Sequence, residues 1–142
     1  MTVKDEQLLE RYIATFEKLD EMVVDEFSMP PAEQLAFGEE DEYGSRRWRP
    51  IKVKTPQPQL EELYAELPGR FPPLFEQMVL SYRWAEVDLS SYRLLANPPG
   101  QDLNGLFQQI TNDPALWDTL IPAGFIQFGR GWISTTIQFV LI

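Results

Sequence analysis

The sequence predicts an α+β fold, in which helices pack on a bent, mainly antiparallel or mixed sheet. Amphipathic helical spacing dominates the N-terminal part and the middle of the chain, whereas short β-forming segments between Gly and Pro turns occupy much of the second half. Helices and strands do not alternate in a βαβ repeat. A length of 142 residues with 44% hydrophobic residues fits one domain, residues 1–142, with a single core.

The clearest helix lies in the middle of the chain. Pro72 and Pro73 fit a first helical turn, where a missing N–H costs nothing. The apolar residues behind them share one face of a helix: Leu74, Phe75, Met78, Val79 and Tyr82. This segment predicts a buried helix at the centre of the fold.

A long N-terminal helix is predicted over residues 3–27, because apolar residues recur every three or four positions until Met29-Pro30-Pro31. Shorter helices are expected at 58–67, at 103–110, and from Asp113, which is placed to cap a helix before Pro114. Short strands are expected within 84–95, at 124–129 and over 132–142.

Residues 37–56 are segregated by charge, with an acidic arm, a Gly-Ser turn and a basic arm that includes Trp48. Basic residues beside a Trp also occur in nucleic-acid sites. We favour a hairpin in which the two arms pair, with Pro50 confining its strand to a sheet edge.

Composition excludes several classes of function. The chain has 22 acidic and 12 basic residues, a formal net charge of −10, which argues against nucleic acid as a ligand. It contains no Cys and no His, so disulfides, thiolate chemistry, Ser-His triads and the usual zinc sites are excluded. We expect no cofactor and no metal. The absence of a signal-type or membrane-length apolar segment predicts a cytoplasmic protein without membrane contact.

Four segments occur in a characteristic order: Leu67-Pro68, Phe71-Pro72-Pro73-Leu74-Phe75, Tyr82-Arg83-Trp84 and Gly124-Phe125-Ile126-Gln127-Phe128-Gly129. This arrangement resembles the SUKH superfamily, which includes the fungal Smi/Knr cell-wall-assembly regulators and many bacterial relatives. The resemblance covers residues 57–131 and makes them the family-like core of the domain.

The resemblance implies helices on a strongly bent sheet, and a binding protein without enzymatic activity. Bacterial members are regarded mostly as immunity proteins that bind and neutralise polymorphic or contact-dependent toxins, often nucleases. The acidic composition suits a basic, nuclease-type toxin as the partner. The alternative function is a regulatory scaffold of the fungal type, which binds a host-cell protein.

The partner is expected to contact the exposed side of the 84–92 segment and Arg130, which lies between two glycines. The expected contact residues are Trp84, Glu86, Asp88, Tyr92 and Arg130. Tyr, Trp and Arg are common at the energetic centres of interfaces. Glu86 and Asp88 would lie about 7 Å apart on one face of a strand, which leaves a carboxylate-based hydrolase as a third hypothesis. Close acidic pairs arise by chance in so acidic a chain, so no catalytic residue is assigned.

The tail at 132–142 departs from the family pattern, which continues with an acidic stretch ending in Tyr-Asp-Pro-Val-Cys-Phe-Asp. Permitted codons for this tail can be chosen so that reading from one base earlier gives Val-Asp-Phe-Asp-Tyr-Asp-Pro-Val-Cys-Phe-Asp. We therefore predict a frame-shifted, truncated C-terminus, with a native apolar strand as the alternative. The apolar tail favours homo-oligomers formed through the C-terminal strand. Sequencing the gene distinguishes the two.

Overall fold

The computed structural model describes residues 2–16, 23–24, 32–88, 92–100, 102–111, 118, 122–124, 126–127, 129–131 and 140–141. Within these ranges the chain has an α+β fold, as the sequence predicts, with four α-helices, a short 3₁₀ helix and ten short strands. Every strand pair described is antiparallel.

The helices are α1 (Val3–Phe16), α2 (Gln57–Ala65), α3 (Pro73–Ser81) and α4 (Asn104–Thr111), with the 3₁₀ helix at Ala32–Leu35. Helices α2, α3 and α4 begin close to their predicted positions. The Glu76 N–H donates to the Pro72 carbonyl at 2.9 Å, which closes the first turn of α3 without a side-chain cap. The helix predicted from Asp113 lies outside the described residues, apart from the helical Asp118.

The N-terminal helix is shorter than predicted. Helix α1 is described to Phe16, and Val23 and Val24 form strand β1 instead of a last helical turn. Val23 lies opposite Arg47, and Val24 lies opposite Arg46. The prediction of a helix over 3–27 is therefore wrong at its C-terminal end. Two adjacent β-branched residues fit a strand ladder, and periodicity along the chain does not reveal their partners.

The strands form four small sheets, with the orders β1-β3-β2, β4-β5, β6-β7-β9 and β10-β8. The strands are β1 (Val23–Val24), β2 (Ala36–Phe37), β3 (Arg46–Trp48), β4 (Ile51–Lys52), β5 (Tyr82–Arg83), β6 (Val87–Asp88), β7 (Tyr92–Leu94), β8 (Ile126–Gln127), β9 (Gly129–Gly131) and β10 (Val140–Leu141). In the tail, β10 pairs with β8, and the rest of 132–142 lies outside the described residues.

Strands β2 and β3 form a hairpin at the predicted place, but the basic arm pairs with Ala36 and Phe37, and the acidic residues 39–42 lie between the two strands. Its turn is closed by the Asp41 carboxylate, which accepts the N–H groups of Tyr43 at 2.8 Å and Ser45 at 2.9 Å. The expectation of an edge strand is wrong, because β3 lies between β1 and β2. Pro50 follows β3 and precedes β4, so its missing N–H interrupts neither described strand.

One hydrophobic core contains residues from all four helices and from the strands. Its fully buried members include Leu60 of α2, Val79 of α3, Leu106 of α4, and both Trp84 and Val87. Helices α1 and α3 lie against each other. The core therefore holds the helices in fixed positions relative to the small sheets.

Buried amide side chains fix the segment that follows β7. The Ala96 N–H donates to Gln109 Oε1 at 2.8 Å, while Gln109 Nε2 donates to the carbonyls of Ala96 at 2.7 Å and Gly105 at 2.9 Å. Asn97 and Trp84 exchange two backbone hydrogen bonds of 3.0 Å. These bonds attach α4 to the strand layer, and they satisfy backbone groups that burial removes from water.

Candidate functional site

The sheet β6-β7-β9 brings together part of the predicted partner-binding set. Asp88 lies opposite Arg93, and Arg93 lies opposite Arg130. The neighbouring row contains Val87 and Leu94, which are buried. The register therefore places one acidic and two basic residues in a charged row across the three strands. The register adds Arg93, which the sequence analysis did not select.

The other predicted contact residues separate from this row. Tyr92 lies opposite Gly131, in another register row of the same strand pair. Glu86 is exposed and directly precedes β6. Trp84 is 0% exposed, and its indole N–H donates to the Leu95 carbonyl at 2.8 Å. Trp84 is therefore a core residue, and the expectation that it contacts a partner directly is wrong.

A cleft of about 460 Å³ lies between α2 and α4. Its lining residues are Gln59, Glu62, Leu63, Glu66, Asp102, Leu103, Asn104 and Phe107. Gln59, Glu62 and Glu66 are spaced at i, i+3 and i+7, which places them along one side of α2. Leu63 and Leu103 are buried and form an apolar floor. The cleft therefore combines an apolar base with acidic walls.

The three carboxylates of this cleft are not engaged in the ion pairs of the described residues. Those ion pairs use Glu10, Glu61 and Glu76 instead. Glu62, Glu66 and Asp102 are exposed, and no Lys or Arg belongs to the lining. The Asp102 backbone is held in place from the core side of the cleft, because its carbonyl accepts a hydrogen bond from the buried Arg83 guanidinium. The cleft is thus a negatively charged concavity with one wall anchored to the core.

Other acidic side chains serve the junction of α2 and α3. Arg70 donates to both Glu61 oxygens at 3.2 and 3.0 Å, and its guanidinium lies 4.4 Å from the Tyr64 ring centre. The Tyr64 hydroxyl donates to Glu76 at 2.7 Å and accepts the Phe71 N–H at 3.1 Å. Burial, reinforced by the hydrogen bond to Glu76, raises the pKa of Tyr64. The hydrogen bond from Arg70 lowers the pKa of Glu61. These groups are committed to internal contacts.

The sequence pattern at 58–67 predicts helix α2, but the role of the acidic side of this helix was not predicted. The spacing of Gln59, Glu62 and Glu66 was visible as a polar helical stripe. The decisive feature, its position opposite the start of α4, depends on tertiary structure. Asp102 also has a positive φ of 53°, which no residue pattern indicated.

Comparison with known proteins found no matching family model, no matching curated protein and no matching solved structure. In the part of the chain that the structure describes, no group of three or more acidic side chains is arranged to hold a metal ion. None of the described helices has both the length and the apolar character needed to cross a membrane.

Proposed function

We propose that this chain is a non-catalytic, cytoplasmic protein-binding domain of the SUKH type, an immunity protein that binds and neutralises a basic toxin. The observation that supports this best is the cleft between α2 and α4, where unpaired carboxylates surround an apolar floor. The formal net charge of −10 gives the whole chain an attraction for a basic partner.

The chemistry of the cleft suits an arginine or lysine side chain of the partner. Both side chains have an apolar stem, which packs on Leu63 and Leu103, and a cationic head that the carboxylates attract. Arginine fits better, because its planar guanidinium binds carboxylates through paired hydrogen bonds. A partner with a basic nucleic-acid-binding surface would present such side chains, and an acidic inhibitor would compete for that surface.

The charged row on the β6-β7-β9 sheet is a second contact area under this proposal. Asp88, Arg93 and Arg130 are one acidic and two basic residues in register across the three strands, and Glu86 directly precedes β6. A row of mixed charge selects partners by charge pattern more than by overall attraction. Charge reversal at Glu86, Asp88 and Arg130 is expected to weaken binding, and unchanged affinity would place the interface elsewhere.

Co-expression with toxin genes encoded nearby tests the immunity function. A toxin that arrests growth alone, and is neutralised and bound by this chain, is the expected result. If none of these genes is toxic, or none is rescued or bound, the immunity proposal fails. A toxin-type C-terminal domain in a neighbouring gene favours immunity, whereas its absence favours the regulatory scaffold.

Once a toxin is found, the variant E62Q/E66Q/D102N tests the cleft. Asn tolerates the positive φ of Asp102, so the substitution removes charge without strain. The control is E39Q/E40Q/E42Q, which removes the same charge from three exposed positions before and within the hairpin turn. We expect the cleft variant to lose at least about tenfold in affinity and the control to lose far less. Equal losses would mean that net charge alone, rather than the cleft, drives binding.

A further inference from the structure

Helices α1 and α3 border an apolar groove of about 320 Å³. It is lined entirely by hydrophobic and aromatic side chains: Leu8, Leu9, Tyr12, Leu74, Phe75 and Met78. Leu8 is 45% exposed, Tyr12 43% and Leu74 41%. The described residues include five exposed large hydrophobic side chains, and three of these five line this one groove. Such clustering marks a docking surface, whereas scattered exposed hydrophobic residues do not.

Helix α1 carries two apolar stripes, although packing against the core needs only one. Leu9, Ile13 and Phe16 are buried and attach the helix to the core. Leu8 and Tyr12 are spaced at i and i+4, and they form a second stripe that lines the groove. Leu8 and Tyr12 are therefore apolar residues that the attachment of α1 to the core does not need.

The charged side chains next to Leu8 on α1 are positive in excess. Lys4 and Arg11 lie four residues before and three residues after Leu8, so they are its neighbours on the outer side of α1. Both are exposed, and the ion pairs of the described residues include neither. Glu6 and Glu10 lie two residues from Leu8 and therefore on another side of the helix, and Glu10 pairs with Lys52 at 3.7 Å. Asp5 accepts a hydrogen bond from the neutral Thr2 hydroxyl at 2.7 Å and keeps its charge, so two cations and one carboxylate neighbour Leu8.

We propose that the groove between α1 and α3 binds an amphipathic helix of a partner protein, with carboxylates flanking the apolar face of that helix. The apolar residues of the partner would fill the space beside Leu8, Tyr12 and Leu74, and its acidic edge would face Lys4 and Arg11. The 14 residues of α1 span about 21 Å, enough to support a docked helix of about four turns. This site goes beyond the proposed toxin binding, because it uses other residues and selects the opposite charge.

The probe is a displayed library of amphipathic helices of about four turns. Their apolar positions are fixed at i, i+3, i+4 and i+7, and their flanking positions are randomised among Glu, Gln and Lys. Selection against the full chain is expected to enrich Glu at the flanks. Enrichment of Lys, or no enrichment beyond that obtained with an L8Q/L74Q chain, would overturn the proposal.

Variants of the full chain locate the binding of the selected peptide. L8Q and L74Q are each expected to weaken it at least about tenfold, since they remove apolar contacts at partly exposed positions. K4E/R11E is expected to weaken it about tenfold as well. The matched control is V3Q, because Val3 is 70% exposed on the same helix but does not line the groove. Equal losses for V3Q and L8Q would contradict the proposed site.

Sedimentation equilibrium of the full chain tests a second copy as the occupant. A monomer whose state does not change with L8Q supports a groove reserved for a partner. A dimer that dissociates with L8Q and L74Q but not with V3Q would replace the partner helix by a second copy of the chain.

Discussion

Replacement of the buried Arg83 by Met tests the polar interior of the fold. Arg83 is 4% exposed, and its guanidinium donates to the Pro98 carbonyl at 3.0 Å, to Thr55 Oγ1 at 2.8 Å, to Asn97 Oδ1 at 3.4 Å and to the Asp102 carbonyl. These acceptors are uncharged, so the cation is held by dipoles. Burial lowers the pKa of Arg83, opposed by the charge of Asp102.

The size of the effect follows from the groups left behind. Met fills similar space but leaves three buried acceptors, on Thr55, Asn97 and Pro98, without this donor, at about 1–3 kcal/mol each. Removal of the desolvated cation offsets part of that loss. We expect R83M to lower the free energy of unfolding by about 3–5 kcal/mol. That is a large fraction of the roughly 5–15 kcal/mol typical of a folded domain.

Urea denaturation, monitored by tryptophan fluorescence, measures this change. With a slope of about 2 kcal/mol per molar urea, the midpoint should fall by about 1.5–2.5 M. The matched control is R70M, because Arg70 pairs with Glu61 and Glu76 on the surface. Exposed ion pairs contribute little to stability, so R70M should shift the midpoint much less.

If R83M does not fold, T55V removes one acceptor and R83K keeps the charge but loses the planar fork, which gives two milder variants. Each should still destabilise more than R70M does. If the urea midpoint of R83M or R83K equals that of R70M, the buried hydrogen bonds of Arg83 to neutral acceptors do not stabilise the fold more than the exposed ion pairs of Arg70, and the argument is refuted.

Three further substitutions are expected to change stability. The pKa of Tyr64 is raised in the folded protein, so Tyr64 stabilises the fold below about pH 10, and this stabilisation is lost as the pH rises further. Y64F should therefore lose less stability above about pH 10, and an unchanged alkaline profile would contradict this. G105A should destabilise the fold by about 1–3 kcal/mol, although Ala has the better helix propensity, because a Cβ at Gly105 would overlap the Pro98 ring. A Cβ at Gly69 would meet open space, so G69A should leave thermal unfolding unchanged. Q109L should lower the free energy of unfolding, measured by urea denaturation, by about 2–4 kcal/mol, since it leaves buried backbone groups unpaired.

Local signals in the sequence predicted the central helices well. Pro72 and Pro73 indicated the start of α3, and the helix begins at Pro73. A helix was expected at 58–67, and α2 lies at Gln57–Ala65 with Leu60 and Leu63 buried. Such features depend on backbone preferences and on periodicity within one element. They hold without knowledge of the neighbours in the fold.

Features that depend on distant partners were not predictable from the sequence. The acceptors of Arg83 lie 14 to 28 residues away along the chain, so no local pattern indicates that this arginine is buried. Trp84 is a plausible contact residue by composition, yet it belongs to the core. Leu74 was assigned to a buried face, but 41% of it stays exposed in the α1–α3 groove.

The polar interior also connects stability to the proposed toxin-binding cleft. Arg83 holds the Asp102 carbonyl, and Asp102 supplies one of the three cleft carboxylates at a positive φ. Loss of the Arg83 contact would free the backbone at Asp102, while Glu62 and Glu66 would stay fixed on α2. A folded R83K chain should therefore bind a basic partner more weakly, although Arg83 itself lines no part of the cleft. The α1–α3 groove does not include these residues, so acidic helices selected on it should bind R83K unchanged.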